Sequence, residues 1–241
     1  MPLPKISTPT YELVLPSTGK TIKYRPFLVQ EEKILILAME SENIEQITNA
    51  IKSVLKDCIL TKGIKIEELP TFDIEFIFLN VRGKSIGEAI ELIITCGDDG
   101  ETKVPVKIYV DEIEVQKDPE HTQEIKLDNT LTLKMKYPSL NEFIKNNFDF
   151  SGNDTSSVEK SFDIIASCID VVYTEEEVWS AKDCTKKELT DWVGTLTSIQ
   201  FQMIEKFFNT MPKLSHTFKV TNPNTKVENE VVLEGLTSFF G

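Results

Sequence analysis

The stretch Thr71–Arg82, TFDIEFIFLNVR, constrains this fold more than any other. It reads as a helix opened by Leu69-Pro70, because proline suits a first helical turn. Its apolar residues (Phe72, Ile74, Phe76, Ile77, Leu79, Val81) point nearly all round. Such a helix has no face to give to water, so other elements must wrap it. The 241 residues are 40% hydrophobic and 9% aromatic, enough for that wrapping and too apolar for a disordered chain.

The wrapping elements come in a recognisable order. Tyr11–Val14 and Thr21–Tyr24 alternate and flank Pro16-Ser17-Thr18-Gly19, a β-hairpin pattern. Pro26 ends the second strand, and Gln30-Glu31-Glu32 opens an amphipathic helix to about Glu40. Ile44, Ile47, Ile51, Val54, Leu55 and Cys58 keep helical spacing over Ile44–Leu60. After the all-round apolar helix, Ala89–Thr95 and Val104–Val110 bracket Gly97-Asp98-Asp99-Gly100, a turn suited to positive φ. Residues 111–122 are polar and read as a linker.

Beyond the linker the order returns. Leu131–Tyr137 reads as a strand broken by Pro138, and Leu140–Asn147 as a helix before a polar loop. Val158–Val172, Glu188–Leu196 and Ser198–Phe208 read as helices, and His216–Val220 with Glu230–Leu233 as strands around Asn222-Pro223-Asn224-Thr225. Lys23-Tyr24-Arg25-Pro26 matches Lys136-Tyr137-Pro138, Asp57-Cys58-Ile59 matches Ser167-Cys168-Ile169, and Thr95-Cys96 matches Thr221-Asn222. The expected class is α+β, with two pseudo-repeated halves offset by about 110 to 125 residues, a domain-scale repeat and not a solenoid. The expected organisation is an extended leader (1–10), a first half (11–110), the linker (111–122) and a second half (123–241) with an apolar tail.

The charge balance is −13. Duplex binding draws most of its affinity from neutralised phosphates, so nucleic acid is a poor fit. The N-terminal stretch has no apolar signal core, and no run approaches a membrane span. Four cysteines without paired spacing read as reduced thiols, with Cys58 and Cys168 as buried small hydrophobes inside helical patterns.

Catalytic patterns are sparse. Gly83-Lys84-Ser85-Ile86-Gly87 fits the G-x-S-x-G string, but a nucleophile elbow needs a strand before the serine and a helix after it, and here the order is reversed. A helix C-cap glycine and a loop account for it. His121 in the linker reads as solvated, and His216 at a strand start as a packing residue without a triad. Asp98-Asp99 reads as a turn. Asn147, Asp149, Ser151 and Gly152 begin a calcium-loop pattern whose twelfth position is Val158 where a glutamate is required. Glu175-Glu176-Glu177 reads as a helix start. Trp192 reads as core, and Trp179 fits core or interface equally. The clusters Lys182/Lys186/Lys187 and Lys56/Lys62/Lys65 lack interleaved aromatics and read as solvated faces.

Four segments stand out together: Lys23–Ser41 (KYRPFLVQEEKILILAMES), Phe72–Phe76, Met211–His216 (MPKLSH) and Val231–Phe240 (VVLEGLTSFF). In these the chain resembles the T4-type bacteriophage baseplate family, baseplate hub subunits or hub-assembly proteins, over nearly its whole length. The resemblance implies a non-enzymatic role in building the central hub of a contractile tail, in the host bacterial cytoplasm during assembly, and a place in the virion tail baseplate if the protein stays as a subunit. The partners it implies are other hub and tail proteins, with no nucleic acid, membrane or cofactor. Relatives often carry C-x-x-C pairs at both hairpin turns, a zinc-ribbon arrangement. Here the corresponding positions are Cys96, Asp99, Asn222 and Thr225. One thiolate cannot make a four-thiolate site, so no metal is expected. If the turns meet, hydrogen bonds among Asp98, Asp99, Asn222 and Thr225 must replace it, leaving Cys96 semi-exposed.

The candidate partner contacts are Pro26, Phe27, Gln30, Glu31 and Glu32, with Leu236, Phe239 and Phe240 of the tail. The tail either docks on its own core, the preferred reading, or anchors a neighbour. Two other function classes are kept: a cell-wall-degrading enzyme, which needs paired carboxylates roughly 5–10 Å apart, and a degenerate zinc-ribbon nucleic-acid module, which the charge opposes.

Overall fold

The computed structural model describes residues 6–41, 43–139 and 157–239. Its helices are α1 (Val29–Glu40), α2 (Ile44–Cys58), α3 (Thr71–Ile86), α4 (Ser157–Cys168), α5 (Lys186–Val193) and α6 (Ser198–Thr210). Its strands are β1 (Tyr11–Val14), β2 (Thr21–Tyr24), β3 (Ala89–Thr95), β4 (Lys103–Tyr109), β5 (Glu114–Gln116), β6 (Glu124–Lys126), β7 (Thr132–Met135), β8 (Ile169–Tyr173), β9 (Val178–Ser180), β10 (Lys213–Thr221) and β11 (Glu228–Glu234). The class is α+β, and every strand pair is antiparallel.

The contacts divide the chain into residues 1–116 with 213–241, and residues 117–212. This differs from a division into 11–110 and 123–241. The last hairpin β10–β11 belongs with the first unit because β10 pairs with β5, Leu214 opposite Val115. The expected linker is correspondingly structured: it contains a 3₁₀ turn (Val110–Glu112) and β5.

In the first unit α3 is the central helix. Phe72, Ile74, Ile77, Leu79 and Val81 are all buried. It runs one turn beyond Arg82, so Gly83 lies inside it, where its missing side chain lets Val110 approach. The helix stops at Gly87, whose φ of 131° suits glycine alone. Ser85 is therefore helical: its hydroxyl donates to Val81 O (2.5 Å) and accepts from Phe27 N–H (2.9 Å). Helix α2 starts where Asn43 accepts from Gln46 N–H (3.0 Å), an N-cap that satisfies an otherwise unpaired donor. It buries Ile47, Ile51, Val54, Leu55 and Cys58.

In the second unit a four-stranded sheet, ordered β6-β7-β8-β9, shares a core with α4, α5 and α6. Ile125, Leu133, Met135, Ile165, Cys168, Ile169, Val193, Ile204 and Phe207 form that core. Helices α5 and α6 both begin with capping boxes, Thr185 with Glu188 and Thr197 with Gln200. The sequence expectation of one helix over Val158–Val172 is corrected here. Helix α4 ends at Cys168, and Ile169–Tyr173 is β8, paired with β7. The β-branched residues Ile169, Val171 and Val172 favour that strand. Glu175–Glu177 start no helix either: they lie in the β8–β9 turn, where Thr174 Oγ1 accepts from the amides of Glu176 and Glu177. The expected helix Leu140–Asn147 and the calcium-like loop after it lie outside the described residues.

Candidate functional site

The tips of the two long hairpins meet within the first unit. They share one turn bond, from the amide four residues on to the carbonyl of Cys96 or Asn222, and differ by one residue in where the turn closes. In one, Cys96 N–H donates to Thr102 O (2.8 Å) and Gly100 N–H to Cys96 O (2.9 Å). In the other, Asn222 N–H donates to Val227 O (2.9 Å) and Lys226 N–H to Asn222 O (3.0 Å). Gly100 and Lys226 both sit in the left-handed region, with φ of 69° and 65°.

Side chains bind the tips together. Asn222 Nδ2 donates to Asp98 Oδ1 (3.0 Å) and Asp99 Oδ2 (2.8 Å). Thr225 Oγ1 donates to Asp98 Oδ2 in a short bond. Asn229 Nδ2 donates to Asp98 Oδ1 (2.9 Å) while its Oδ1 accepts from Asp98 N–H (2.9 Å). Asn224 Nδ2 donates to Thr102 Oγ1 (2.9 Å). Asp98, Asp99, Asn222 and Thr225 are the residues named from the sequence for this role, and Asn224, Asn229 and Thr102 are additional to them. Hydrogen bonds from Thr225, Asn222 and Asn229 hold the Asp98 carboxyl below its usual range, and those from Thr102 and Asn222 do the same for Asp99. Asn222 is fully buried. Cys96 is buried too, and not semi-exposed as expected; desolvation, with Asp98 and Asp99 beside it, raises its thiol. Among the described residues, no group of three or more His, Cys, Asp or Glu side chains could hold a metal ion. The chemistry here is a polar staple between neutral donors and carboxylates.

The candidate contact segment Pro26–Glu32 splits. Glu31 is turned inward, 2% exposed. Arg25 grips its carboxylate with two bonds, Nη2–Oε1 2.6 Å and Nη1–Oε2 2.8 Å, and Leu28 N–H adds a third at 2.6 Å. The hydrogen bonds from Arg25 hold Glu31 below its usual range, and those to Glu31 raise Arg25 further. Gln30 is exposed, and Pro26, Phe27 and Glu32 are half-buried. The tail splits likewise. Phe239 is fully buried in its own core, Leu236 begins the last 3₁₀ turn, and Phe240 lies outside the described residues.

Helix α1 supplies what the sequence did not indicate. It is not amphipathic in the expected sense, because only Glu31 and Ala38 are buried. Leu28, Val29, Ile34, Ile36, Leu37 and Met39 are all exposed large apolar residues, concentrated in one short segment. Isolated surface apolar residues are ordinary, but a contiguous bare patch marks an interaction surface. The apolar spacing was visible in sequence; what hid the bare face was the inward carboxylate of Glu31.

Other sequence candidates are absorbed by structure. His121 is not solvated: its Nε2 lies 3.0 Å from Tyr137 Oη and its Nδ1 2.9 Å from Thr210 Oγ1, and it packs on the rings of Tyr137 and Phe207. Thr210 spends its own hydroxyl proton on Lys206 O (2.7 Å), so Nδ1–H is the donor and Nε2 accepts from Tyr137. Burial lowers the His121 pKa. His216 Nδ1 donates to Glu112 O (3.0 Å) and its ring stacks on Phe218, a packing role. Trp179, 45% exposed, and the half-buried Trp192 line an apolar cavity of about 390 Å³ in the second unit. Lys65 and Lys186 pair with Glu68 and Asp163. No described helix is long and apolar enough to cross a membrane.

A family model described as T4 bacteriophage base plate protein matches residues 8–241. Comparisons with curated proteins and with solved structures give no significant match.

Proposed function

The chain belongs to the T4 bacteriophage base plate protein family, and on that membership we propose that it is a non-enzymatic protein of the baseplate's central hub, as a hub subunit or a hub-assembly factor. It associates with other hub and tail proteins, in the host bacterial cytoplasm during assembly, and its working part is a surface. The observation that carries this reading is the bare apolar face of α1, with Val29 81%, Ile36 52% and Leu37 54% exposed. A face of that kind is stable in water only at a cost and becomes favourable when another protein covers it.

The same reading includes descent of the chain from a duplicated unit. Arg25 N–H bonds Cys58 O (2.9 Å) after β2, and Lys136 N–H bonds Cys168 O (2.7 Å) after β7. The matched hairpin tips support it equally.

The test is complementation. Phage lacking this protein is supplied with the Ile36→Glu/Leu37→Glu variant, both positions being more than half exposed in the free chain. The variant is expected to fold, as judged by an unchanged melting profile, and to lower the yield of assembled tails at least tenfold. Normal tail yield would overturn the proposal. Mass spectrometry of purified particles against lysate then separates a hub subunit, present at fixed copy number, from an assembly factor, present in lysate alone.

A further inference from the structure

We propose that the outer face of α1 pairs antiparallel with the same face of a second copy of this chain, about a two-fold axis. The inference rests on reading α1 as a docking surface and names its occupant.

The face is defined by spacing. Val29, Lys33, Ile36, Leu37 and Glu40 recur at intervals of three, four and seven residues, which puts them on one side of the helix. All five are exposed, while Glu31 and Ala38 on the opposite side are buried. The face is therefore not uniformly apolar. It carries a cation and an anion two helical turns apart, roughly 10 Å along the axis, with Ile36 and Leu37 between them. Among the described residues neither Lys33 nor Glu40 has an ion-pair partner.

That pattern selects the occupant. A wholly apolar partner helix would strip water from both charges and return nothing, which is unfavourable. A partner of uniform charge would satisfy one and repel the other. A second copy laid antiparallel satisfies both. Positions 33 and 40 share a midpoint with positions 36 and 37, so one two-fold axis at that midpoint sets the whole register. Lys33 then meets the partner subunit's Glu40, and Glu40 meets the partner subunit's Lys33. Ile36 packs on the partner subunit's Leu37, and Leu37 on the partner subunit's Ile36. This is the reciprocity that an isologous contact requires. The net charge of −13 works against association at long range but is screened beyond about 8 Å at physiological salt. One helix face is small for a stable interface, so the dimer is weak, with Kd of order tens of micromolar.

Sedimentation equilibrium of the full chain tests this. The wild type should show a reversible monomer–dimer equilibrium. Lys33→Glu and Glu40→Lys should each weaken it about tenfold, because each turns two attractive pairs per dimer into two repulsive ones. An equimolar mixture of the two variants should regain association close to wild type. In that mixture one protein carries only carboxylates at the two positions and the other only ammoniums. Recovery on mixing also shows that both variants are folded.

A wild type that stays monomeric to about 1 mM would overturn the proposal. So would association indifferent to both substitutions, or not regained on mixing. The two readings fail separately. If the chain is monomeric but Ile36→Glu/Leu37→Glu still abolishes tail assembly, the docking surface stands and self-pairing falls. If the mixing result holds but that variant assembles tails normally, self-pairing stands and the hub-docking reading falls.

Discussion

The stretches 21–110 and 121–234 share two backbone features and furnish them with different side chains. Each has a strand end held to the carbonyl of a cysteine at a helix terminus, Arg25 to Cys58 and Lys136 to Cys168. Each ends in a hairpin whose tip has the same amide–carbonyl bond, Gly100 to Cys96 and Lys226 to Asn222, with the donor residue left-handed. At the tips the β3–β4 hairpin offers acceptors, Asp98 and Asp99, and the last hairpin, β10–β11, offers donors, Asn222, Thr225 and Asn229. The strand end at Arg25 is clamped by an ion pair, Arg25–Glu31, and the strand end at Lys136 by an imidazole between a phenol and a hydroxyl, His121 with Tyr137 and Thr210. The same turn bond carries acceptors on one hairpin and donors on the other. Carboxylates on one tip and amide and hydroxyl donors on the other then bond each other directly.

The largest expected effect breaks the comparison at the strand ends. Arg25→Ala removes the cation and leaves Glu31 buried with its charge, which should cost about 3 kcal/mol. Lys136 is the matching position but is exposed, and Lys136→Ala should cost less than about 0.5 kcal/mol. Urea unfolding of both variants measures the difference. Equal losses would mean that the shared main-chain bond dominates both ends and that the side-chain clamps are incidental.

At the tips, Asn222→Ala removes the donor that bridges two carboxylates, together with the Oδ1 acceptor of the Asn224 and Thr225 amides, and should cost about 2 kcal/mol. Asn222→Asp sharpens the point, because it makes the second tip an acceptor like the first. In the wild type the folded-state pKa values of Asp98 and Asp99 are depressed, so their contribution is full above the unfolded range near 4 and fades as pH falls below it. In Asn222→Asp a third carboxylate faces them, and the penalty should shrink on acidification instead. A penalty independent of pH would show that donor–acceptor complementarity is not what joins the tips.

Much of this frame was legible. The all-round apolar pattern of Thr71–Arg82 placed α3 centrally, and the glycines around Asp98-Asp99 marked the first tip, because both signals are local. The staple was anticipated only through family resemblance, and then by residue type. What escaped was non-local. His121 reads as solvated because 111–122 is polar, while its partner Thr210 lies 89 residues away. Ile169–Val172 reads as helix because Cys168 continues the apolar spacing, and only pairing with β7 makes it part of a strand. The bare face of α1 was hidden by the carboxylate of Glu31, which Arg25 draws inside. Spacing gives a helix two faces, but it takes the buried ion pair to say which one meets water.

The smallest effect separates the two clamps by pH. With Nδ1–H donating to Thr210 and Nε2 accepting from Tyr137, His121 is neutral when folded, and a second ring proton would displace the Tyr137 donor. Burial acts in the same direction, lowering the folded-state pKa below the unfolded value near 6.5. The unfolded chain then binds the extra proton first. The stability from this clamp is full above about pH 6.5 and is lost as pH falls from there through the folded pKa. Asp118 is the charged neighbour that opposes the shift, and the Lys206–Glu120 pair lies alongside. Two-dimensional NMR should therefore show His121 titrating below 6.5. His121→Phe keeps a ring against Tyr137 and Phe207 but cannot take up a proton, so it should flatten the dependence of melting temperature on pH between 7 and 5.5. Arg25→Ala should change that dependence in the opposite sense, because Glu31, buried without its cation, takes up a proton more readily and its penalty shrinks as pH falls. If His121→Phe melts with the wild-type pH slope, the imidazole is a packing ring and the two strand ends differ in one clamp only.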